Sequence, residues 1–299
     1  MLPIAYHSIY KHPLPEGHRF PMIKYELLPQ QLLYEGTATQ SDFYEPGLPD
    51  MANILAVHDK TYVEELLNLS LDPRAVRKIG FPLSAELVER ELRIAQGTIW
   101  GVQQALQYGI AFNIAGGTHH AYSNRGEAFC LLNDQAIAAQ YLINNKLAKK
   151  VLIVDLDVHQ GNGTAEVFTG NNDVFTFSMH GKTNYPFKKE ISDLDIALPD
   201  NTSDEEYLSI LRDVLPKLID EQKPDFIFYL SGVDILASDK LGKLGCSLNG
   251  CKQRDEFVLS LCHKLEIPVQ CSMGGGYSPD IKVIIEAHAN TYRIARALY

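Results

Sequence analysis

The chain contains no apolar run approaching the roughly 18–20 residues that a membrane-spanning helix needs. It has no block of basic residues either, and 27 Lys and Arg against 37 Asp and Glu leave a formal charge of −10. That balance argues against nucleic acid or an anionic membrane as the main partner. The opening residues, Met1-Leu-Pro-Ile-Ala-Tyr-His7, lack the basic and long apolar regions of a secretory signal. Cysteine is scarce: there are five, at positions 130, 246, 251, 262 and 271, with no CxxC pair among them. Cys246, Cys251 and the Cys262-His263 pair can be forced into a structural zinc site, but small buried thiols in a reducing cytoplasm are the simpler expectation. No repeat, low-complexity tract or shift in composition divides the chain, so residues 1–299 are expected to form a single domain. Nothing in the sequence indicates an oligomeric state.

What is present is a regular alternation of short apolar runs and amphipathic segments. Strands are expected at Ile4–His7, Ile54–Val57, Ala111–Ala115, Val151–Val158, Val174–Ser178, Asp225–Leu230 and Pro268–Ser272. Helices are expected from His58, over Ser84–Tyr108 with Ser84 as N-cap, and at Asn133–Asn144, Gly163–Phe168, Ser203–Ile219, Gln253–Leu265 and Pro279–Ala297. Residues 11–50 hold six prolines and little periodicity, and read as extended loops with short helical pieces packed over the domain. The alternation predicts an α/β fold, a three-layer αβα arrangement with a mostly parallel central sheet. In such sheets ligands bind beyond the carboxyl ends of the strands.

Chemistry-bearing residues fall at those ends. In Val151-Leu-Ile-Val-Asp155-Leu-Asp157-Val-His159-Gln-Gly161-Asn-Gly163 two carboxylates and an imidazole stand at alternate positions, which places them on one side of an extended strand. Two carboxylates buried together need a cation or many donors to compensate them. His119-His120, Ser231-Gly-Val-Asp234 and Met273-Gly-Gly-Gly-Tyr277 follow three other expected strands. Singly, each has a plainer reading, as a helix cap, a turn or a core histidine. Placed together on one rim, they read as a site. Asp157, His159 and Asp234 form a ligand set for one divalent ion with an open position, zinc or else iron(II), cobalt or manganese. His119 and His120 offer proton transfer, and Tyr277 a hydroxyl for a developing oxyanion. The parts describe hydrolysis of an amide or ester. A dinucleotide site is excluded because Glu166 stands where the third glycine of its loop belongs. A two-metal ureohydrolase would want more bridging carboxylates than Asp234 and Asp239 supply.

These motifs resemble those of the histone deacetylase superfamily, most closely its class IV branch. The resemblance rests on Gly116-Gly-Thr-His-His-Ala121, Gly126-Glu-Ala-Phe-Cys130, Asp155–Gly163, Gly232-Val-Asp-Ile-Leu-Ala-Ser-Asp239 with Leu241-Gly-Lys-Leu244, Arg254-Asp255 and Gly274-Gly-Gly-Tyr277, with His18-Arg-Phe-Pro-Met22 near the start. It implies the arginase–deacetylase fold and a zinc-dependent deacylase acting on acyl-lysine in proteins or peptides. By motif position it implies one Zn2+ on Asp157, His159 and Asp234, and proton transfer by His119 and His120, chiefly the second. It implies oxyanion stabilisation by Tyr277. Asp155 would orient His119 and, with Ser178 nearby, form part of a structural K+ or Na+ site. Phe129 and Tyr185 would wall the acyl-lysine tunnel, and Gly275 and Gly276 would border the substrate. Class I relatives carry an Asp behind the second histidine where this chain has Asn162. An amide holds an imidazolium less well than a carboxylate, so His120 should have the lower pKa. Class IV resemblance also implies long-chain fatty acyl-lysine as a better substrate than acetyl-lysine. Two rival activities make distinct demands. A deacylase of acetylated polyamines needs an acidic rim, and a silent acyl-lysine-binding module should lack a ligand or the tyrosine.

Overall fold

A computed structural model describes residues 1–299. Eight strands form one sheet in the order β2-β1-β3-β8-β7-β4-β5-β6, and every neighbouring pair is parallel. The strands are β1 (Ile4–Ala5), β2 (Phe43–Tyr44), β3 (Ile110–Asn113), β4 (Val151–Asp155), β5 (Val174–Gly181), β6 (Leu194–Leu198), β7 (Phe226–Leu230) and β8 (Val269–Ser272). β3, β8, β7 and β4 are consecutive in the sheet and buried at every residue. Their near-unbroken apolar sequences suit strands covered on both faces. These are the four strands that carry the polar groups singled out above, so one central stretch of sheet gathers them at its carboxyl edge.

Ten helices complete the chain: α1 (Lys24–Tyr34), α2 (Met51–Leu55), α3 (Lys60–Leu67), α4 (Pro73–Ile79), α5 (Ala85–Tyr108), α6 (Asp134–Asn144), α7 (Asn162–Val167), α8 (Asp204–Gln222), α9 (Leu248–Lys264) and α10 (Ile281–Leu298). α5 packs on α6, while α1, α10, α9 and α8 pack in succession, and these groups flank the sheet. Caps explain several boundaries. The Ser84 side chain accepts from the Leu87 amide, and Ser203 forms a reciprocal capping box with Glu206.

Four expectations need correction. Ile54–Val57 is not a strand: Met51–Leu55 is helical, with Asp50 capping the Ala52 amide. Within residues 11–50 lies a full helix, α1, which tolerates Pro29 because its stripe of Tyr25, Leu28 and Leu32 is anchored in the core. β6 escaped notice as a half-exposed edge strand of five residues. β4 ends at Asp155, so strand alternation does not orient Asp157 and His159. Two successive turns do that, with the Asp155 carboxylate accepting from the Asp157 amide (3.1 Å) and the Asp157 carboxylate from the His159 amide (3.0 Å). The five cysteines are buried and unpaired, and a single group of side chains, Asp157, His159 and Asp234, is placed to hold a metal.

Candidate active site

Asp157, His159 and Asp234 are buried, and one ligand atom from each lies within 4.8 Å of the others. His159 Nδ1 is 3.0 Å from Asp157 Oδ1 and 3.2 Å from Asp234 Oδ2. Backbone amides fix the outer oxygens: Val158 N donates to Asp234 Oδ1 (2.9 Å) and Gly275 N to Asp157 Oδ2 (2.8 Å). Asp234 Oδ2 has no aligned hydrogen-bond donor although it is buried. A β-carbon at Gly275 would stand 1.9 Å from that oxygen, so only glycine lets the loop close over the cluster.

Electrostatics point the same way. Burial, reinforced by the charge of Asp157, pushes the Asp234 carboxyl up to about 7. Burial opposes a proton on His159, but the hydrogen bond to Asp157 and the Asp234 carboxylate 3.2 Å away override it and bring the imidazole up to about 10. Two carboxylates thus share a charged histidine where a cation would let the imidazole serve as a neutral ligand. A convergent anionic set with an orphaned oxygen fits a divalent metal.

The paired histidines, buried with ring centroids 4.1 Å apart, adjoin this cluster. His119 Nδ1 is 2.7 Å from Asp155 Oδ2. Burial disfavours its charged form, but the Asp155 carboxylate prevails and its pKa is raised. His120 Nδ1 is 2.6 Å from Asn162 Oδ1, and Asn162 Nδ2 donates to the Tyr122 hydroxyl (2.9 Å), which fixes the orientation of the amide. Nδ1 of His120 is therefore the protonated nitrogen, leaving a lone pair on Nε2. Burial and the neighbouring His119 and His159 hold His120 well below its usual range, while the bond to Asn162 pulls the other way without prevailing.

Gly274-Gly-Gly-Tyr277 closes the other side. Gly274 adopts φ +69°, a conformation other residues rarely take. The Tyr277 amide donates to Asp239 Oδ2 (2.6 Å), and burial with the charge of Asp234 raises its phenol well above the usual range, so the hydroxyl remains a donor. Outward lies a mouth cavity of about 400 Å3, bordered by Phe129, Tyr185 and Tyr277. Inward lies a narrow cavity of about 40 Å3, lined by Tyr25, Ile94, Gly117 and Cys130. His120, His159, Phe129 and Tyr277 border both and form the neck between them. Phe129 itself sits at φ +70° after Ala128 at φ +44°, clamped by amide bonds to the Ile79 and Lys78 carbonyls. Left-handed backbone at a non-glycine residue costs on the order of 1–3 kcal/mol, and here it aims an aromatic ring at the neck.

All the expected site residues thus gather in one place except Ser178. That residue pairs with Asp155 across β4 and β5 and bonds His180 Nδ1 (3.0 Å) rather than facing the neck. Gly276, φ +154°, packs against Val233 and Ile284, which a β-carbon there would crowd. Three contributors escaped the sequence reading. Lys24 is fully buried and donates to the Gly274 carbonyl (3.0 Å). Its signal was a cation on the same i, i+4 stripe as Leu28 and Leu32. Glu127 accepts from the Tyr185 hydroxyl (2.6 Å). Arg254, noted only as part of a motif, donates to the carbonyls of Leu156 and Gly232, which precede Asp157 and Asp234.

The histone deacetylase domain model matches residues 18–292. An uncharacterized protein of Picosynechococcus is 46% identical over 297 residues, 99% of each chain. Histone deacetylase clr6 of Schizosaccharomyces pombe is 31% identical over 91% of this chain and 70% of its own, and the acetoin utilization protein AcuC of Staphylococcus aureus is 27% identical over 87% and 72%. A crystal structure of an HDAC homologue complexed with SAHA superposes with a TM-score of 0.85, at 22% identity, over 100% of this chain and 84% of that one. Family match and fold agree on the arginase–deacetylase architecture, and the chain belongs to the histone deacetylase family.

Proposed function

We propose that the chain is a metal-dependent deacylase that removes acyl groups from Nε-acyl-lysine in proteins, of the class IV kind that its motifs resemble. The observation that carries this reading is the convergence of Asp157, His159 and Asp234 at the neck, between the mouth cavity and the small inner one. In this reading those three residues hold one zinc ion, which when bound supplies Lewis acidity toward the acyl carbonyl. The remaining chemistry belongs to the chain. Phe129 and Tyr185 hold the lysine stem between aromatic faces. His120, neutral and with its lone pair on Nε2, takes a proton from the attacking water and returns it to the departing amine. His119, whose pKa the Asp155 carboxylate raises, stands beside the developing anion and favours positive charge there. The Tyr277 hydroxyl donates to the oxyanion, and the buried setting strengthens that bond. Gly275 and Gly276 keep the loop thin enough for the acyl group to pass. Asp155 and Ser178, neighbours across two strands, are the residues around which a structural K+ or Na+ would sit.

The small inner cavity supports acetyl over the long-chain fatty acyl group that class IV resemblance implies. About 40 Å3 of inner space takes roughly three waters or one acetyl methyl, and a fatty chain exceeds it many times over. Acetyl-lysine peptides should therefore turn over faster than myristoyl-lysine peptides. Purified protein assayed on a panel of acyl-lysine peptides, with and without chelator, tests the reading. Turnover of no chain length, or turnover indifferent to chelation, would overturn it. A silent binding module is disfavoured because no ligand and no tyrosine is missing.

A further inference from the structure

Charge at the mouth runs against the charge of the molecule. The chain as a whole is acidic, at −10. Yet the mouth cavity is lined by Arg19, Lys78 and Lys243 and by no Asp or Glu. All three cations are exposed, and none is held in an ion pair. Four of the segments that supply the rim, 17–22, 74–80, 182–189 and 240–243, hold nine Lys and Arg, three of which line the opening, while Glu16, Asp72, Glu127, Glu190 and Asp239 flank the rim segments in sequence without lining it.

The nearest carboxylates are engaged elsewhere. Glu127 takes the Tyr185 hydroxyl and the Arg125 guanidinium. Asp239 accepts from the amides of Leu241, Gly242 and Tyr277, and so faces the backbone. Asp200 accepts from the Thr183 hydroxyl, to which Lys243 also donates (3.0 Å), and is the one acid that partly offsets a rim cation. Beside the cations stands Phe187, 89% exposed, which offers an apolar contact to a chain lying across the opening.

We infer that this mouth selects acyl-lysine embedded in an acidic polypeptide segment, with Asp or Glu within a few residues of the modified lysine. The inference rests on the deacylase reading and names the substrate class of that same site. Unpaired cations around a concave opening raise the local concentration of anionic partners and repel cationic ones. Basic segments of the kind rich in Lys and Arg, and N-acetylated polyamines, meet like charge at the same place.

The test compares three acetyl-lysine peptides of equal length, flanked by Glu, by Gln and by Lys, at low and at high salt. At low ionic strength the Glu-flanked peptide should show kcat/KM about tenfold above the Lys-flanked one, with Gln between. The gap should close in 0.5 M salt, where the screening length falls to a few ångströms. In the Lys78→Gln/Lys243→Gln double variant the ratio should fall to within about twofold. Equal rates for the three peptides, or a preference for Lys flanks, would overturn the inference while leaving the deacylase reading intact. Turnover of none of them would overturn that reading and the inference with it. Inhibition by a single-stranded oligonucleotide under conditions where a poly-glutamate peptide does not compete would also overturn the assignment to polypeptide.

Discussion

Replacing Arg254 by Met should separate what holds the metal-ligand segments from what they do. The guanidinium is 0% exposed and paired with Asp255 at 2.7 Å. It also donates to Gly232 O (2.6 Å), Leu156 O (3.2 Å) and Ser231 O (3.3 Å). One side chain therefore ties the segment leading into Asp157 to the segment leading into Asp234. Removing one partner of a buried ion pair costs about 3–5 kcal/mol, because the other charge is left without compensation. Asp255 keeps donors from Tyr229 (2.5 Å) and Thr291 (2.7 Å), which holds the loss to the lower half of that range. A domain with roughly 5–15 kcal/mol of stability survives such a loss and can be assayed.

The measurement is urea unfolding of metal-stripped protein, so that metal linkage does not enter the comparison. Titration of zinc into wild type and variant should then show affinity weakened by about 10–100-fold, as when supports of metal ligands are removed. Arg254→Lys, which keeps the charge but cannot reach three carbonyls at once, should fall between. Adding Asp255→Leu to Arg254→Met should cost less than the sum of the single changes, since the stranded carboxylate is gone. A loss under about 1 kcal/mol in the metal-free protein, with zinc affinity unchanged, would refute the account of Arg254 as the tie between the two segments.

Tyr277→Phe should lower kcat by about 10²–10³-fold while zinc content by atomic absorption stays at one per chain, whereas Asp157→Ala should lose both. Asn162→Asp should place a carboxylate behind His120 and raise its pKa, so the acid limb of the kcat/KM profile should move to higher pH; an unmoved limb would remove His120 from the role of base. Between α10 and the end of α1, Arg293 grips Glu35 with two nitrogens (2.9 and 2.6 Å) and lowers its carboxyl from 4.5 to about 2. A depressed carboxylate stabilises the fold above its unfolded pKa, and that contribution is lost as pH falls from about 4.5 toward 2. Solvent screening keeps it to about 1 kcal/mol, so urea midpoints between pH 6 and pH 3 should fall more steeply for wild type than for Glu35→Gln.

The parts of the fold that could be read in advance were those in which local pattern and burial agree. Val151–Asp155 and Phe226–Leu230 are apolar runs in fully buried strands, and Ser84 and Ser203 mark helix starts by side-chain caps. What was hidden had weak local signals overridden by tertiary packing. Pro29 made α1 look like a loop, and the short apolar run 54–57 looked like a strand until Asp50 capped it as a helix. The site followed the same division. Residues that bear charge in apolar surroundings, such as Asp157 and Asp234, announce themselves through the cost of burying them. Glu127 and Arg254 do not, because their roles lie in contacts 58 and 98 positions away along the chain, of which spacing carries no trace, and the stripe that marks Lys24 as buried does not name its partner 250 positions away.

Composition misleads in a related way. Seven acids lie buried (Asp42, Glu91, Asp134, Asp155, Asp157, Asp234 and Asp255) against three bases, Lys24, Arg90 and Arg254. Part of the formal −10 is thus enclosed in the interior and the metal-ligand cluster, where it can attract a cation but cannot meet a substrate's flanks. An approaching chain responds to charges within about a Debye length, roughly 10 Å at 0.1 M salt, and the charged side chains that line this mouth are Arg19, Lys78 and Lys243, with Glu127, Asp200 and Asp239 held behind them in hydrogen bonds. Net charge alone would admit a cationic polyamine. Its distribution, acids gathered at the floor and lysines and arginines at the rim, separates the metal's requirement from the substrate's, and an acetylated polyamine set against the Glu-flanked peptide at low salt should lose that competition.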